Sequence, residues 1–362
     1  MEITKPDYYD EFACLAGKCP DTCCANWEVV IDPESDAFYS QVPGELGQKL
    51  RDAIVEIEGE RCFGLEKGLC RLLRPDGLCP IQAELGEEHL CKICGKYPRF
   101  STEIGMRREI GLSLSCPEAA RLILTGRKPL TLSREKNNEP MSSLHELSPE
   151  LMITMGVLRE KALEIASDET VPFSQRCVKI LRLCAPVARV KRDRQLRTAL
   201  EKGMEDARHL EEVQRAGETG IAHFQKALIE LTDSLEVLSP AWQEQLHSAL
   251  SQSLAPADWT GLCPSVPGTW EQLLSYGIYK YFPRAVFDRS IWPTTVFCVM
   301  LPLLLRQMIT TCEDRSEENL LRQAWTLSRE LEHSEDNMAH LFRAFSRRSF
   351  RPEALEAVLA AV

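Results

Sequence analysis

The stretch Cys14-Leu15-Ala16-Gly17-Lys18-Cys19-Pro20-Asp21-Thr22-Cys23-Cys24 places four thiols within eleven residues. Gly17 and Pro20 bend the chain between them, so one backbone turn can present several sulfurs to a common centre. Neighbouring side chains point in different directions. Cys23 and Cys24 therefore suit different tasks, one on the cluster and the other on a second centre or in the core. Cys62, Cys70, Cys79, Cys91, Cys94 and Cys116 lie further along, so ten of the fifteen cysteines fall within the first 116 residues. Clustered thiolates are soft ligands that suit zinc or an iron–sulfur cluster. The spacing predicts a small metal-organised unit at the N-terminal end, distinct from the rest of the chain.

Composition supports metal over disulfides. With 362 residues and 44% hydrophobic content, the chain can build a sizeable core without covalent staples. The opening Met1-Glu2-Ile3-Thr4-Lys5-Pro6-Asp7 has neither a basic nor an apolar leader region, so no secretory signal is expected. Reduced thiols and a cytoplasmic location are the expectation, and an odd cysteine count forbids complete pairing. A net charge of -11 argues against nucleic acid as a partner. The run Arg189-Val190-Lys191-Arg192-Asp193-Arg194 reads as a solvated helix face. The most apolar stretch, Trp292 to Leu305, contains Pro293 and Pro302 and falls short of the roughly 20 residues a bilayer demands. It is expected to be a buried helix or helix pair, and no membrane partner is expected.

The chain divides near residue 130. Residues 1–126 read as a cysteine-rich α+β head, 127–147 as a linker or exposed loop, and 148–362 as a helical body. The fold class is mainly α. In the head, Trp27 to Asp32 reads as a strand ending in a turn at Asp32-Pro33. Asp76-Gly77 is a turn that folds Cys70 and Cys79 toward each other, and Arg108 to Ser115 is a second short strand. Pro117 opens a helix that stops at Gly126. Ser148-Pro149-Glu150 caps the first body helix, with Leu151, Met155, Leu158 and Ala162 on one face. Further helices are expected around 172–185, 190–217, 219–235, 240–254, 269–282, 293–311, 317–333, 335–347 and from Pro352 to Ala361.

The second thiol group is Cys70-x8-Cys79, Cys91-x2-Cys94 and Cys116-Pro117. Alone, Cys91-x2-Cys94 is equally a redox dithiol or a pair of small buried hydrophobes. His89 is the only histidine in the first 140 residues. An all-thiolate site is therefore expected, which zinc or iron–sulfur can satisfy.

Cys14-x4-Cys19-x3-Cys23-Cys24-x2-Trp27, Cys70-x8-Cys79-Pro80-Ile81-Gln82, Cys94-Gly95-Lys96-Tyr97-Pro98-Arg99 and Leu112-Ser113-Leu114-Ser115-Cys116-Pro117-Glu118 together resemble the flagellin lysine-N-methylase family. The resemblance covers about residues 10–125. It implies S-adenosylmethionine-dependent methylation of lysine side chains on flagellin or a similar surface protein, with a [4Fe–4S] cluster held by N-terminal cysteines. By position it carries Cys14, Cys19, Cys23, Cys24, Cys70, Cys79, Cys94 and Cys116 as metal ligands, and ranks Cys62 and Cys91 below them. Eight thiolates exceed the four that one complete [4Fe–4S] cluster takes. Either two centres exist, or some of the eight are supporting or core residues. The radical spacing Cys-x3-Cys-x2-Cys begins at Cys19-x3-Cys23 but meets Asn26 at its third position. No Gly-x-Gly-x-x-Gly loop comes after a strand, so methyl transfer rests on the resemblance alone.

Other residues have two readings. Arg99, in Tyr97-Pro98-Arg99, can hold a cofactor carboxylate in its guanidinium fork or be a surface arginine beside a turn. Asp32 reads as a helix cap. Tyr276, Tyr279, Tyr281 and Trp270 read as helix packing rather than a substrate cage. Cys177, Cys184, Cys263, Cys298 and Cys312 read as core, and the histidines from His145 to His340 as surface. Two rivals to the methylase remain: a zinc-stapled structural module, and an iron–sulfur redox module without methylase activity.

Overall fold

The structure, a computed structural model, describes every residue except 126–128, 139–146, 210–214, 253, 255–258, 260–261, 263–265 and 362. The expected stop at Gly126, His145 and Cys263 lie outside the described residues. Helix makes up about 59% and strand about 11%, so the chain is mainly α with small sheets.

Capping explains where the body helices start. Ser148, Ser239, Ser316 and Ser334 each accept the amide three residues on, from Leu151, Trp242, Asn319 and Asn337 at 3.3, 3.4, 3.2 and 3.1 Å. The body helices are Pro149–Ala166, Phe173–Ala188, Leu196–Asp206, Glu218–Asp233, Pro240–Ser251, Thr269–Tyr281, Ala285–Asp288, Ile291–Thr310, Glu317–Glu332, Glu335–Phe345 and Pro352–Leu359. The long helix expected over 190–217 is shorter. Arg189 ends the preceding helix, and Lys191 and Arg192 lie in an exposed turn rather than on a helix face. Ile291–Thr310 is the one described helix long and apolar enough to cross a membrane, and it is 89% buried inside the body. A helix apolar on all sides needs neighbours all round, which is its situation here.

Two hydrophobic clusters organise the molecule, and their boundary differs from the expected one. The small cluster centres on Val29, Ile31, Tyr39, Leu50, Phe63 and Cys91. The large one includes Tyr8, Leu112, Leu114, Cys116 and the helix Pro117–Leu124 together with the body helices. Both ends of the expected head therefore pack with the body. A four-stranded sheet makes that junction, in the order Arg99–Ile104, Arg107–Leu112, Glu2–Pro6, Leu132–Lys136. Its last strand lies inside the expected linker and pairs antiparallel with the first, Glu2 opposite Lys136. Leu132–Lys136 reads as linker because it is a polar edge strand with only two half-buried residues. Tyr279 fixes the body to this sheet, its hydroxyl reaching the carbonyls of Thr4 and Ile110 at 2.9 Å each.

The small lobe holds the helices Pro33–Gln41 and Gly44–Ala53, which the sequence pattern did not announce. Asp32 caps the first, accepting from the Ser35 amide at 3.2 Å, as expected. The strand expected over Trp27 to Asp32 is only Val29–Val30. It forms a sheet with Glu60–Phe63 and Ile54–Ile57. Glu58-Gly59 and Lys67-Gly68 close two tight hairpins with positive φ at both residues (50° and 85°, 51° and 79°). That conformation matches the right-handed twist of paired strands.

A candidate metal centre

Turns and helix starts deliver the thiols: Cys91 and Cys116 precede the helices Lys92–Lys96 and Pro117–Leu124, and Cys94 lies in the first of them. The Lys67-Gly68 hairpin carries Cys70 back to the first cysteine loop, where its amide donates to the Cys24 carbonyl at 2.8 Å and Leu69 bridges Ala25. Asp76-Gly77 makes the expected turn: the Gly77 amide reaches Arg74 O at 2.9 Å and the Leu78 amide reaches Asp76 Oδ1 at 3.2 Å. Gly17 lies against Leu78, so closely that a Cβ there would come within 3.3 Å of its side chain. The Cys14–Cys19 loop is thus seated on the turn preceding Cys79. Asp32, besides capping its helix, accepts the Lys92 amide at 2.8 Å and anchors the Cys91–Cys94 turn.

The result is one cavity of about 490 Å³ lined by Cys14, Cys19, Cys23, Cys24, Cys70, Cys79, Cys91, Cys94 and Cys116, all as free thiols. All eight thiols expected as ligands meet here. So does Cys91, which the resemblance ranked lower; its tie to Asp32 spans 60 residues and has no local sequence signature. Cys62 does not join them. It sits mid-strand in the small sheet, 3% exposed and opposite Val30 and Val55. His89 stacks on Phe38 with ring centroids 4.5 Å apart, and it does not line the cavity.

A recurring backbone arrangement distinguishes these thiols from ordinary buried cysteines. Backbone hydrogen bonds reach Cys70 from Leu72 and Leu73, Cys79 from Gln82 and Ile81, Cys91 from Cys94 and Ile93, and Cys116 from Ala119 and Glu118. Cys19 receives one from Asp21, and Cys14 Sγ one from the Ala16 amide at 3.4 Å. In each case the donor lies two or three residues further on. Donors aimed at sulfur favour the thiolate, the form that binds metal. Burial opposes this: it raises Cys70 and Cys79 and pushes Cys116 up to about 11. Two thiol–thiol hydrogen bonds add to the pattern. Cys23 bonded to Cys24 is raised while Cys24 is lowered, and Cys94 bonded to Cys91 is raised while Cys91 is lowered. Binding a metal would release the remaining protons.

The body reaches the cavity through the helix Glu317–Glu332. Arg329 donates to Asp21 Oδ2 at 2.7 Å and to the Ser115 carbonyl at 2.9 Å. It therefore ties the Cys19–Cys23 loop to the turn before Cys116. Trp325 Nε1 adds a bond to Asp21 at 3.0 Å. Arg329 Nη2 is buried without a partner among the described residues, and the guanidinium lowers the cost of charge on Cys23. His333, expected at the surface, instead packs against Trp27 and Tyr97, with ring centroids 5.5 and 6.1 Å away. Burial lowers its pKa to about 4, so its ring is neutral at pH 7. A lone histidine between helices carries no spacing signal, so its partners emerge only in the fold.

A polar chain runs on from there. Tyr97 Oη and Ser115 Oγ are 3.0 Å apart, Ser115 Oγ bonds Ser113 Oγ at 3.0 Å, and Lys280 Nζ donates to Ser113 Oγ at 3.3 Å. Lys280 also pairs with buried Glu332, whose Oε2 accepts from Tyr276 Oη at 2.8 Å. Tyr276, Tyr279, Tyr281 and Trp270 are all nearly fully buried, as packing residues should be. Arg99 lies exposed at the cavity wall, its guanidinium 5.0 Å from the Phe12 ring centroid. A larger groove of about 710 Å³ is lined by Met106, Met152 and Met155 and contains no thiol.

Among the described residues, no group of three or more Cys, His, Asp or Glu side chains is arranged to hold a metal ion as placed. The thiols share one cavity without being drawn to ligand distance. The donor set nonetheless fits an all-thiolate centre: free sulfurs, amides directed at six of them, and a buried unpartnered guanidinium nitrogen alongside. No family model, curated protein or solved structure matches the chain.

Proposed function

We propose that this chain is an iron–sulfur protein that methylates lysine side chains of a protein substrate, flagellin or a similar surface protein, with S-adenosylmethionine as methyl donor. The observation that carries the metal part is the convergence of nine free thiols on one cavity, six of them with backbone donors at their sulfurs. The methylase part rests on the resemblance of the cysteine motifs. A bound [4Fe–4S] cluster would supply an electron-accepting, soft Lewis-acidic centre at the thiols.

The remaining work falls to the chain's own residues. Arg99, at the cavity wall, would pair with a carboxylate such as the amino-acid end of S-adenosylmethionine. Glu87, exposed on the same wall, offers a counter-charge to an incoming lysine. A lysine amine with pKa near 10.4 is mostly protonated at pH 7, so it must be desolvated or stripped of its proton before it attacks. Trp27 and Tyr97 line the cavity and would keep water from one side of a bound substrate.

The test is methyl transfer from labelled S-adenosylmethionine to lysine-bearing surface protein, using anaerobically isolated chain. Transfer is expected, and Arg99→Ala should raise the KM for the methyl donor about tenfold or more. No transfer by protein that carries its full iron and sulfide leaves the redox module as the reading. Stoichiometric zinc with no visible absorption leaves the stapled structural head.

A further inference from the structure

The nine thiols exceed what one complete [4Fe–4S] cluster takes, and they are not evenly mixed. Resting on the metal-binding reading above, we propose that they serve two adjacent metal centres, the first held by Cys14, Cys19, Cys23 and Cys116 and the second by four of Cys24, Cys70, Cys79, Cys91 and Cys94.

The two sets are assembled by different parts of the molecule. Cys116 belongs to the large core that includes the body helices, whereas Cys91 belongs to the small lobe's core, with Cys70, Cys79 and Cys94 packed against it. Arg329 joins only elements of the first set: it bonds Asp21, between Cys19 and Cys23, and Ser115, directly before Cys116. Trp27 Nε1 holds the Cys23 carbonyl at 2.7 Å. The second set is gathered within the lobe. The Cys70 amide bonds the Cys24 carbonyl, the Asp76-Gly77 turn returns Cys79, and Asp32 anchors the Cys91 turn.

Electrostatic neighbours run within each set and also across the Cys23-Cys24 seam. Cys19 senses Cys14 and Cys23, and Cys116 senses Cys19 and Cys23. Cys24 senses Cys79 and Cys70, and Cys70 senses Cys79 and Cys91. Cys79 and Cys94 also sense Cys23, which marks the seam. The sets meet at the adjacent pair Cys23-Cys24, whose thiols are hydrogen-bonded to each other. Thiolate sets of this kind suit iron–sulfur at both positions, or iron–sulfur at one and zinc at the other.

The experiment is iron, zinc and acid-labile sulfide analysis with Mössbauer spectra, on the full chain isolated and reconstituted anaerobically. Two centres per chain are expected: about eight irons and eight sulfides, or about four of each with one zinc. Cys19→Ser with Cys116→Ser, and separately Cys70→Ser with Cys79→Ser, should each remove one centre and retain the other. Arg329→Met should deplete the first centre selectively. One centre's worth of metal in the unsubstituted chain overturns the pair, and that measurement stands even if a variant fails to fold. A chain that takes up no iron, sulfide or zinc overturns the metal reading itself, and the pair with it.

Discussion

Cys70 and Cys184 are both thiols at least partly withdrawn from water, yet their surroundings differ. Cys184 is fully buried on the helix Phe173–Ala188 among Ile180, Leu181 and Leu183, and burial pushes its pKa up to about 12. Its thiol neighbour is Cys298, and its sulfur has a hydrogen bond with the Thr295 side chain. Cys70 sits half-buried at a hairpin end, with two backbone donors at its sulfur and Cys79 and Cys91 as neighbours. Both regions are rich in cysteine, but the donors at the Cys70 sulfur are amides two and three residues further along the chain. A helix interior cannot supply these, because its amides are already committed to carbonyls four residues back.

The largest effect that sharpens this contrast is metal removal. The lobe has a small core, and a metal held there as proposed would contribute on the order of 10 kcal/mol to folding. Chelation should therefore abolish amide-exchange protection around residues 29–94 while the helix Ile291–Thr310 stays protected. Undiminished protection in the lobe after complete stripping would mean that its hydrophobic core suffices alone.

The junction provides the next. Lys280→Met leaves Glu332, 1% exposed at its side chain, as a buried carboxylate without its counter-ion. The expected loss is roughly 3–5 kcal/mol in urea unfolding. A loss below about 1 kcal/mol would show that the pair behaves as a surface ion pair despite its burial.

A pH experiment tests the body and the junction against each other. Glu330 is 3% exposed, and burial raises its pKa from 4.5 to about 7, although it accepts the Leu238 amide at 2.7 Å. A carboxyl whose folded pKa is raised favours the protonated fold, so stability falls as pH rises from about 4.5 to about 7. His333 works in reverse: its folded pKa of about 4 lies below the ordinary 6.5, so its contribution is present above 6.5 and lost on acidification. The two slopes oppose each other in the overlap. Glu330→Gln should add about 3 kcal/mol above pH 7 and leave a profile that rises with pH between 4 and 6.5. A flat gain at every pH would remove Glu330 from this account.

The smallest effect concerns Cys62. Cys62→Ala should cost about 1 kcal/mol, as for loss of a small buried group, with no change in bound metal. Any loss of metal would place Cys62 among the ligands and break the distinction between the cavity thiols and the core thiols.

Much of this was legible in the residues. The Ser148 cap, the Asp32 cap, the Asp76-Gly77 turn and the apolar run ending at Leu305 each carry a local signal, and each formed the element it announced. The eight cysteines named by motif all line the cavity. Long-range placement was not legible. Leu132–Lys136 looked like linker because an edge strand is polar, and the lobe helix Pro33–Gln41 lacks a strong periodic face. Cys91 joined the cavity through a hydrogen bond from the Lys92 amide to Asp32, 60 residues away.

The sequence by itself determined that the protein is mainly helical, that its thiols are concentrated at one end, and that those thiols suit soft metals, because composition, periodicity and ligand chemistry are local properties. Only the tertiary structure decided that Cys116 shares the body's core while Cys91 belongs to the lobe, and that Arg329 ties the Asp21 loop to the turn before Cys116. Those facts depend on which surfaces bury each other, and burial is settled by contacts between residues far apart in the chain.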